Sequence, residues 1–234
     1  MAVAHGGSLA RTHEGAPGLP RGRSRLPADT VAAAQRDRLL RAMIAAVSTV
    51  GYADVTVAAV VGRARVSRTA FYVHFTAKED CFFPAANDGA ARLFEVTLAA
   101  VKHLPHDTGD ELLLRTGLRA FLAFLASEPA FARVFYVELP GAGLRAQERL
   151  LAAHAEWAEL NRRWHERARR RNPGWPAVPG EVYRALAGAT AELVRDLVTA
   201  GHTDRLPLLE DTLVGVHLAV LAARPWGEQL PTAG

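Results

Sequence analysis

Several things are scarce in this chain of 234 residues. A single cysteine, Cys81, excludes an intrachain disulfide and any Cys-x-x-Cys motif. No run approaches the roughly 20 apolar residues of a membrane-spanning helix. Stretches such as AAVSTVGYADVTVAAVV are broken by polar residues. The opening MAVAHGGSLARTHEGAPGLPRGRSR lacks the apolar core of a secretory signal, so the expected location is the cytoplasm, with no membrane partner. Clear strand alternation and internal repeats are also missing.

Metal and catalytic patterns are as scarce. His103 and His106 are separated by Pro105 and have no carboxylate cluster beside them. His154 and His165 lie three turns apart on one helix. Cys81 follows an acidic first turn, which does not favour thiolate, and reads as a quiet buried thiol. The glycines of LPGAG follow no strand and make no phosphate cradle. The expectation is no catalytic residue, no metal, no cofactor and no enzymatic activity.

What is present is uneven charge and much helical periodicity. The net charge is only +4. Residues 1–75, however, carry ten Arg against four acids, whereas the remainder is close to neutral. A basic front suits a polyanionic partner, and four of those Arg stand before residue 26, where a solvated tail would explain them equally. Residues 1–30 are rich in Gly, Pro, Ala and Arg and read as a disordered basic arm, in which Arg21, Arg23 and Arg25 can follow phosphates or enter a minor groove.

From Gln35 onward apolar residues recur at helical spacing. Leu39, Leu40, Met43, Ile44, Val47 and Val50 predict a helix over 33–50, stopped by Gly51. Thr56 can cap a short second helix and Ser67 a third, RTAFYVHF. Thr76 and Glu79 have the spacing of a capping box opening a fourth. Further helices are expected near 78–102, 109–127, 142–171, 179–200 and 206–223, with a kink at Pro84. The prediction is an all-α protein: an arm (1–30), an N-terminal three-helix unit (31–77), a C-terminal helical bundle (78–224) and a tail (225–234).

Two short helices joined by a tight link describe a helix-turn-helix. At about 100° per residue, inward-facing Phe71 and Phe75 place Thr69 and Val73 outward, with Tyr72 and His74 on the flanks. Such a helix suits the major groove of double-stranded DNA. Arg68 can read guanine, Tyr72 and His74 can reach phosphates, and Lys78 adds a cation beside a helix N-terminus. A plain helical hairpin within a bundle has the same pattern.

Residues 36–80 carry a resemblance. The GY…VTV approach to the second helix, RVSRTAFYVHF and the KE opening the fourth resemble the DNA-binding domain of TetR-family (tetracycline-repressor-like) transcriptional regulators. The resemblance implies phosphate contacts from Thr56, Ser67, Tyr72, His74 and Lys78, and base contacts from Arg68, Thr69 and Ala70. The family usually has Gly where this chain has Arg65, which must bear strain or alter the turn, and which adds a cation beside DNA.

The same resemblance implies a ligand-responsive repressor acting as a homodimer on a palindromic operator at the nucleoid. Its dimer interface would lie on the last two helices, through Leu186, Ala189, Leu193, Leu213, Val216 and Val220. The middle helices would hold a small-molecule effector among Phe94, Phe121, Phe124, Phe135, Trp157, Trp164 and Tyr183, although aromatics at helical spacing are also what plain core looks like. The alternative is a helical small-molecule binding or interaction protein without operator recognition. The basic run RRWHERARRR, 162–171, reads as a solvated helix end rather than a second nucleic-acid site.

Overall fold

The computed structural model describes residues 7–12 and 27–222, and among them every regular element is helical. Helix α1 is Ala28–Val50, α2 Val57–Ala64, α3 Arg68–His74, α4 Lys78–Lys102 and α5 Asp110–Ser127. Helix α6 (Pro129–Arg133) runs into a π-helical turn (Val134–Glu138) and a 3₁₀ turn (Leu139–Gly141). Helix α7 is Leu144–Arg171 and α8 Gly180–Thr199; a 3₁₀ segment, Thr203–Leu209, leads into α9, Glu210–Leu221. The tail at 225–234 and arginines 21, 23 and 25 lie outside the described residues.

The chain packs as two compact units. Unit one takes the chain up to Leu93 together with Leu125–Gln147; unit two takes Phe94–Phe124 and the chain from Glu148 onward.

In unit one, Leu39, Met43, Ile44 and Val47 form the buried stripe of α1. Val50, the last residue of the expected stripe, is solvent-exposed. Against that stripe pack α2, α3, α6 and the π turn. Helix α6 was not legible from the sequence because Pro129 reads as a break. It is instead the first residue of a helix, where its missing N–H has no intrahelical partner to lose. Close packing of α6 on α4 depends on Gly89: a Cβ there would stand 2.3 Å from the Phe131 ring. Helix α4 continues through Pro84.

In unit two, Ala158 of α7, Val182, Tyr183 and Leu186 of α8, and Leu221 of α9 form one core, with Trp164, Val178 and Val220 packed on it. His165 is fully buried there. Its Nδ1 lies 2.9 Å from the Tyr183 hydroxyl and its Nε2 2.9 Å from the Leu221 carbonyl, so both ring nitrogens are used. Burial lowers the pKa of His165, which favours the neutral ring: Nε2 donates to the carbonyl and Nδ1 accepts from the tyrosine.

Most of the basic run at the end of α7 is bound to protein partners, while Arg170 stays exposed. Arg162 and Arg163 pair with Glu159, and Arg162 also with Glu166. Arg167 donates to the His106 carbonyl, and Arg171 to those of Asp107 and Thr108. Arg167 and Arg171 staple the α4–α5 connection to α7.

Candidate nucleic-acid interface

Ser67 and Thr56 do what their side chains predict. The Ser67 hydroxyl accepts from Ala70 N–H at 3.0 Å and opens α3; the Thr56 hydroxyl accepts from Ala59 N–H at 3.2 Å and opens α2. Each satisfies one of the N–H groups a helix start leaves unpaired. Both residues remain exposed.

The turn between α2 and α3 resolves the question raised by Arg65. Its φ and ψ are 55° and 41°, the left-handed conformation glycine normally supplies. Arg65 N–H donates to Gly62 O at 3.3 Å, and Val66 N–H to Val61 O at 3.2 Å, which closes α2 in a Schellman-type turn. Arg65 therefore adopts the usual turn and bears its strain, and its side chain is exposed.

The phase of α3 matches the expectation. Phe71 and Phe75 are buried, with ring centroids 5.6 Å apart. Arg68, Thr69, Tyr72 and Val73 face solvent, Val73 at 77% and Tyr72 at 48% exposure; Ala70 is half-buried. A valine so bare on a short helix has no role in its own core. The Arg68 guanidinium lies 5.8 Å over the Tyr72 ring, a cation–π contact that presents both from one side of the helix. His74 is half-buried, and its Nε2 lies 3.2 Å from Gln35 Oε1 of α1.

Lys78 differs from the expectation. Its ammonium donates to the carbonyls of Tyr52 (3.0 Å), Ala53 (3.2 Å) and Val55 (3.5 Å) and lies 4.7 Å from the Tyr52 ring centroid. An ammonium has three donors, and here all three serve the α1–α2 connection. Lys78 is thus a strut rather than a free phosphate ligand. The capping box is also absent. Glu79 accepts from the Tyr52 hydroxyl at 3.1 Å, and the Thr76 hydroxyl donates to Asp80. Burial, and then the Glu79 charge, push the Tyr52 hydroxyl up to about 12, so it stays a donor.

One further residue of this frame went unseen in the sequence. Glu138, ending the π turn, accepts from Tyr52 N–H and from Arg133, each at 3.0 Å. The signal was there only as Gly51, whose φ of 85° leaves its α-carbon bare; a Cβ would lie 3.2 Å from Glu138 Oε2.

The residues expected to line an effector pocket fall into separate groups. Trp157 makes edge contacts with Phe94 and Phe121, at 5.2 and 5.1 Å, in unit two. Trp164, Trp175, His165 and Tyr183 form a second aromatic group of that unit. Phe135 packs in unit one, against Phe131 and Tyr136. Phe124 is half-buried at the end of unit two's part of α5. Among the described residues no group of three or more His, Cys, Asp or Glu is placed to hold a metal ion.

The stripe expected at a dimer interface divides between two faces. Leu186 and Leu213 are buried within the chain itself, at 3% and 1% exposure, and are corrected to core. Ala189 and Val216 are exposed; Leu193 and Val220 are half-buried. The outward faces carry small residues, Ala185 and Ala189 on α8, Gly215 and Ala219 on α9.

A capped helix-turn-helix with a bare, basic-tipped second helix is the arrangement that helix-turn-helix domains present to a major groove. Residues 39–84 match the family model described as bacterial regulatory proteins, tetR family. The helix-turn-helix is thus a TetR-family domain, and the chain has the fold of TetR-type regulators. FadR from Bacillus subtilis, solved in complex with stearoyl-CoA, is 15% identical with a TM-score of 0.69 over 79% of this chain and 98% of its own. The fatty acid degradation regulator FadR from Bacillus halodurans is 16% identical with a TM-score of 0.70, covering 81% and 97%. A TetR-like regulator from Rhodococcus sp. RHA1 is 21% identical with a TM-score of 0.62, covering 83% and 99%. No curated protein matches the chain in sequence.

Proposed function

We propose that the protein is a homodimeric, ligand-responsive transcriptional regulator, a repressor that binds a palindromic operator through α3. The observation that carries the reading is the outward face of α3. Arg68, Thr69, Tyr72 and Val73 are exposed together while Phe71 and Phe75 hold the helix from behind. Arg68 at the N-terminal tip reads guanine O6 and N7, and Thr69 and Ala70 let the backbone approach base edges. Arg65, Ser67, Tyr72 and Thr56 contact phosphates on the groove walls. His74 serves from the flank, held by Gln35.

The outward faces of α8 and α9 form the dimer contact, with small residues allowing close helix approach and Val216, Leu193 and Val220 adding apolar area. Two copies related by a two-fold axis present their α3 helices about 34–36 Å apart. The Phe94, Phe121 and Trp157 cluster supplies apolar surface for an effector. A long-chain acyl-CoA is the first ligand to test, because FadR from Bacillus subtilis shares the fold and was solved with stearoyl-CoA. Effector binding shifts the dimer away from the operator-competent spacing.

The test is binding to DNA flanking the protein's own gene, with and without stearoyl-CoA. Sequence preference that Tyr72→Ala removes supports operator recognition. If the purified protein shows no preference and Tyr72→Ala changes nothing, the alternative of a helical binding protein without operator recognition takes its place.

A further inference from the structure

Ahead of α1 the described residues include a short docked stretch, 7–12. Ser8 donates twice to Glu128 Oε1, through its N–H at 2.8 Å and its hydroxyl at 2.6 Å. Leu9 N–H donates to Glu128 Oε2 at 3.0 Å. Glu128 is only 5% exposed. It is the N-cap of α6, yet its side chain makes no cap hydrogen bond with its own helix. A buried carboxylate needs donors for its oxygens. Here three come from a segment about 120 residues away in sequence.

The fit is tight on the other sides as well. Gly7 has φ 79°, and a Cβ on it would stand 2.0 Å from Glu128 Oε2 and 2.7 Å from the Ser127 carbonyl. Ala10 is buried. Arg41, midway along α1, donates to the Ser8 carbonyl at 3.0 Å while its Nε is held by Asp37 at 2.9 Å. The segment therefore ties the start of α6 to the middle of α1, wholly within unit one.

We infer that Gly7–Leu9 is a built-in strap, that Glu128 is its receptor, and that its engagement braces α1 beneath the helix-turn-helix, so that DNA affinity depends on it. The arm expected to be disordered thus contains an anchored stretch. The functional half of the inference rests on the DNA-binding reading above; the docking half does not. Releasing the strap leaves α3 intact but loosens the helix on which α2 and α3 pack, and coupling of this kind changes affinity severalfold.

The test uses the full chain and two variants, Glu128→Gln and Gly7→Val, each followed by amide hydrogen exchange and by titration with DNA flanking its gene. Glu128→Gln replaces one acceptor oxygen by a donor; Gly7→Val leaves the receptor untouched and obstructs the strap. The expected result is slow exchange at Ser8 and Leu9 in the parent, faster by about tenfold in either variant. DNA affinity should be weaker by about fivefold. Parent amides exchanging at the rate of an unstructured peptide would overturn docking. Docking released with DNA affinity unchanged would overturn the bracing. Should Glu128→Gln not fold, Gly7→Val decides both points. Should the parent itself bind no DNA selectively, the function proposed above fails by itself. Exchange of the Leu39–Val47 amides then decides the bracing: faster in Gly7→Val supports it, and unchanged rates overturn it.

Discussion

The ammonium of Lys78 donates to the carbonyl of Tyr52 at 3.0 Å and lies 4.7 Å from the centre of the same residue's ring. One cation thus grips a residue by its backbone and its aromatic face, and fixes the loop that delivers the chain to α2. Hydrogen bonds to charged groups contribute about 1.5–3 kcal/mol, and Lys78 is only half-buried. Lys78→Met should therefore lower unfolding stability by about 1–2 kcal/mol in urea. DNA binding by the folded fraction should also weaken, because Thr56 and α2 lose their anchor. An unchanged denaturation midpoint would show that the three carbonyls are satisfied equally well by water.

Arg65 separates stability from binding. Its left-handed backbone is strained for any residue with a Cβ. Arg65→Gly should raise stability by about 1 kcal/mol while weakening DNA binding and reducing the slope of log affinity against log salt by roughly one per bound copy, about two for a dimer. A variant that gains stability with no change in salt slope would remove Arg65 from the phosphate contacts.

His165 gives a sign for pH dependence. Its folded-state pKa is lowered by burial. Stability is then fully present above the unfolded value of about 6.5 and falls as the pH drops from there through the lowered folded value, where the unfolded chain takes up the proton first. The groups facing the ring are the Tyr183 hydroxyl and the Leu221 carbonyl, with Glu166 and Arg169 acting at longer range. His217, also lowered by burial, acts in the same direction. Urea midpoints should therefore fall between pH 7 and pH 5, and His165→Gln, though less stable at pH 7, should show a shallower fall. Equal slopes in the two proteins would assign the effect elsewhere.

The dimer reading makes a prediction at a residue that has no part in the subunit core. Ala189 is exposed on α8. Ala189→Arg should leave the monomer's fold and thermal unfolding nearly unchanged, within about 0.5 kcal/mol for an exposed site, while shifting sedimentation from dimer to monomer. Sedimentation as a dimer in the variant would move the interface off this face.

How far the sequence carried depends on range. The caps at Thr56 and Ser67, the stop at Gly51 and the phase of α3 are local, fixed by spacing within a few residues, and they stand in the structure as read. Lys78, Glu138 and Glu128 act on backbone 23 to 120 residues away, and nothing in the local pattern marks such a partner. Helix α6 was hidden by the double meaning of proline, a breaker inside a helix and a favoured first residue of one. Leu186 and Leu213 share a helical stripe with other apolar residues, and periodicity alone does not say whether such a stripe meets its own core or another copy.

The most direct test is a competition titration of the full chain on DNA flanking its gene against unrelated DNA, at two salt concentrations, for the parent and for Tyr72→Ala and Arg68→Ala. A sequence-specific complex is expected for the parent. Tyr72→Ala should weaken it broadly, and Arg68→Ala should cost about 1–3 kcal/mol at the cognate site with relaxed discrimination at one base position per half-site. Equal affinity for both DNAs, unaltered by either substitution, would contradict it.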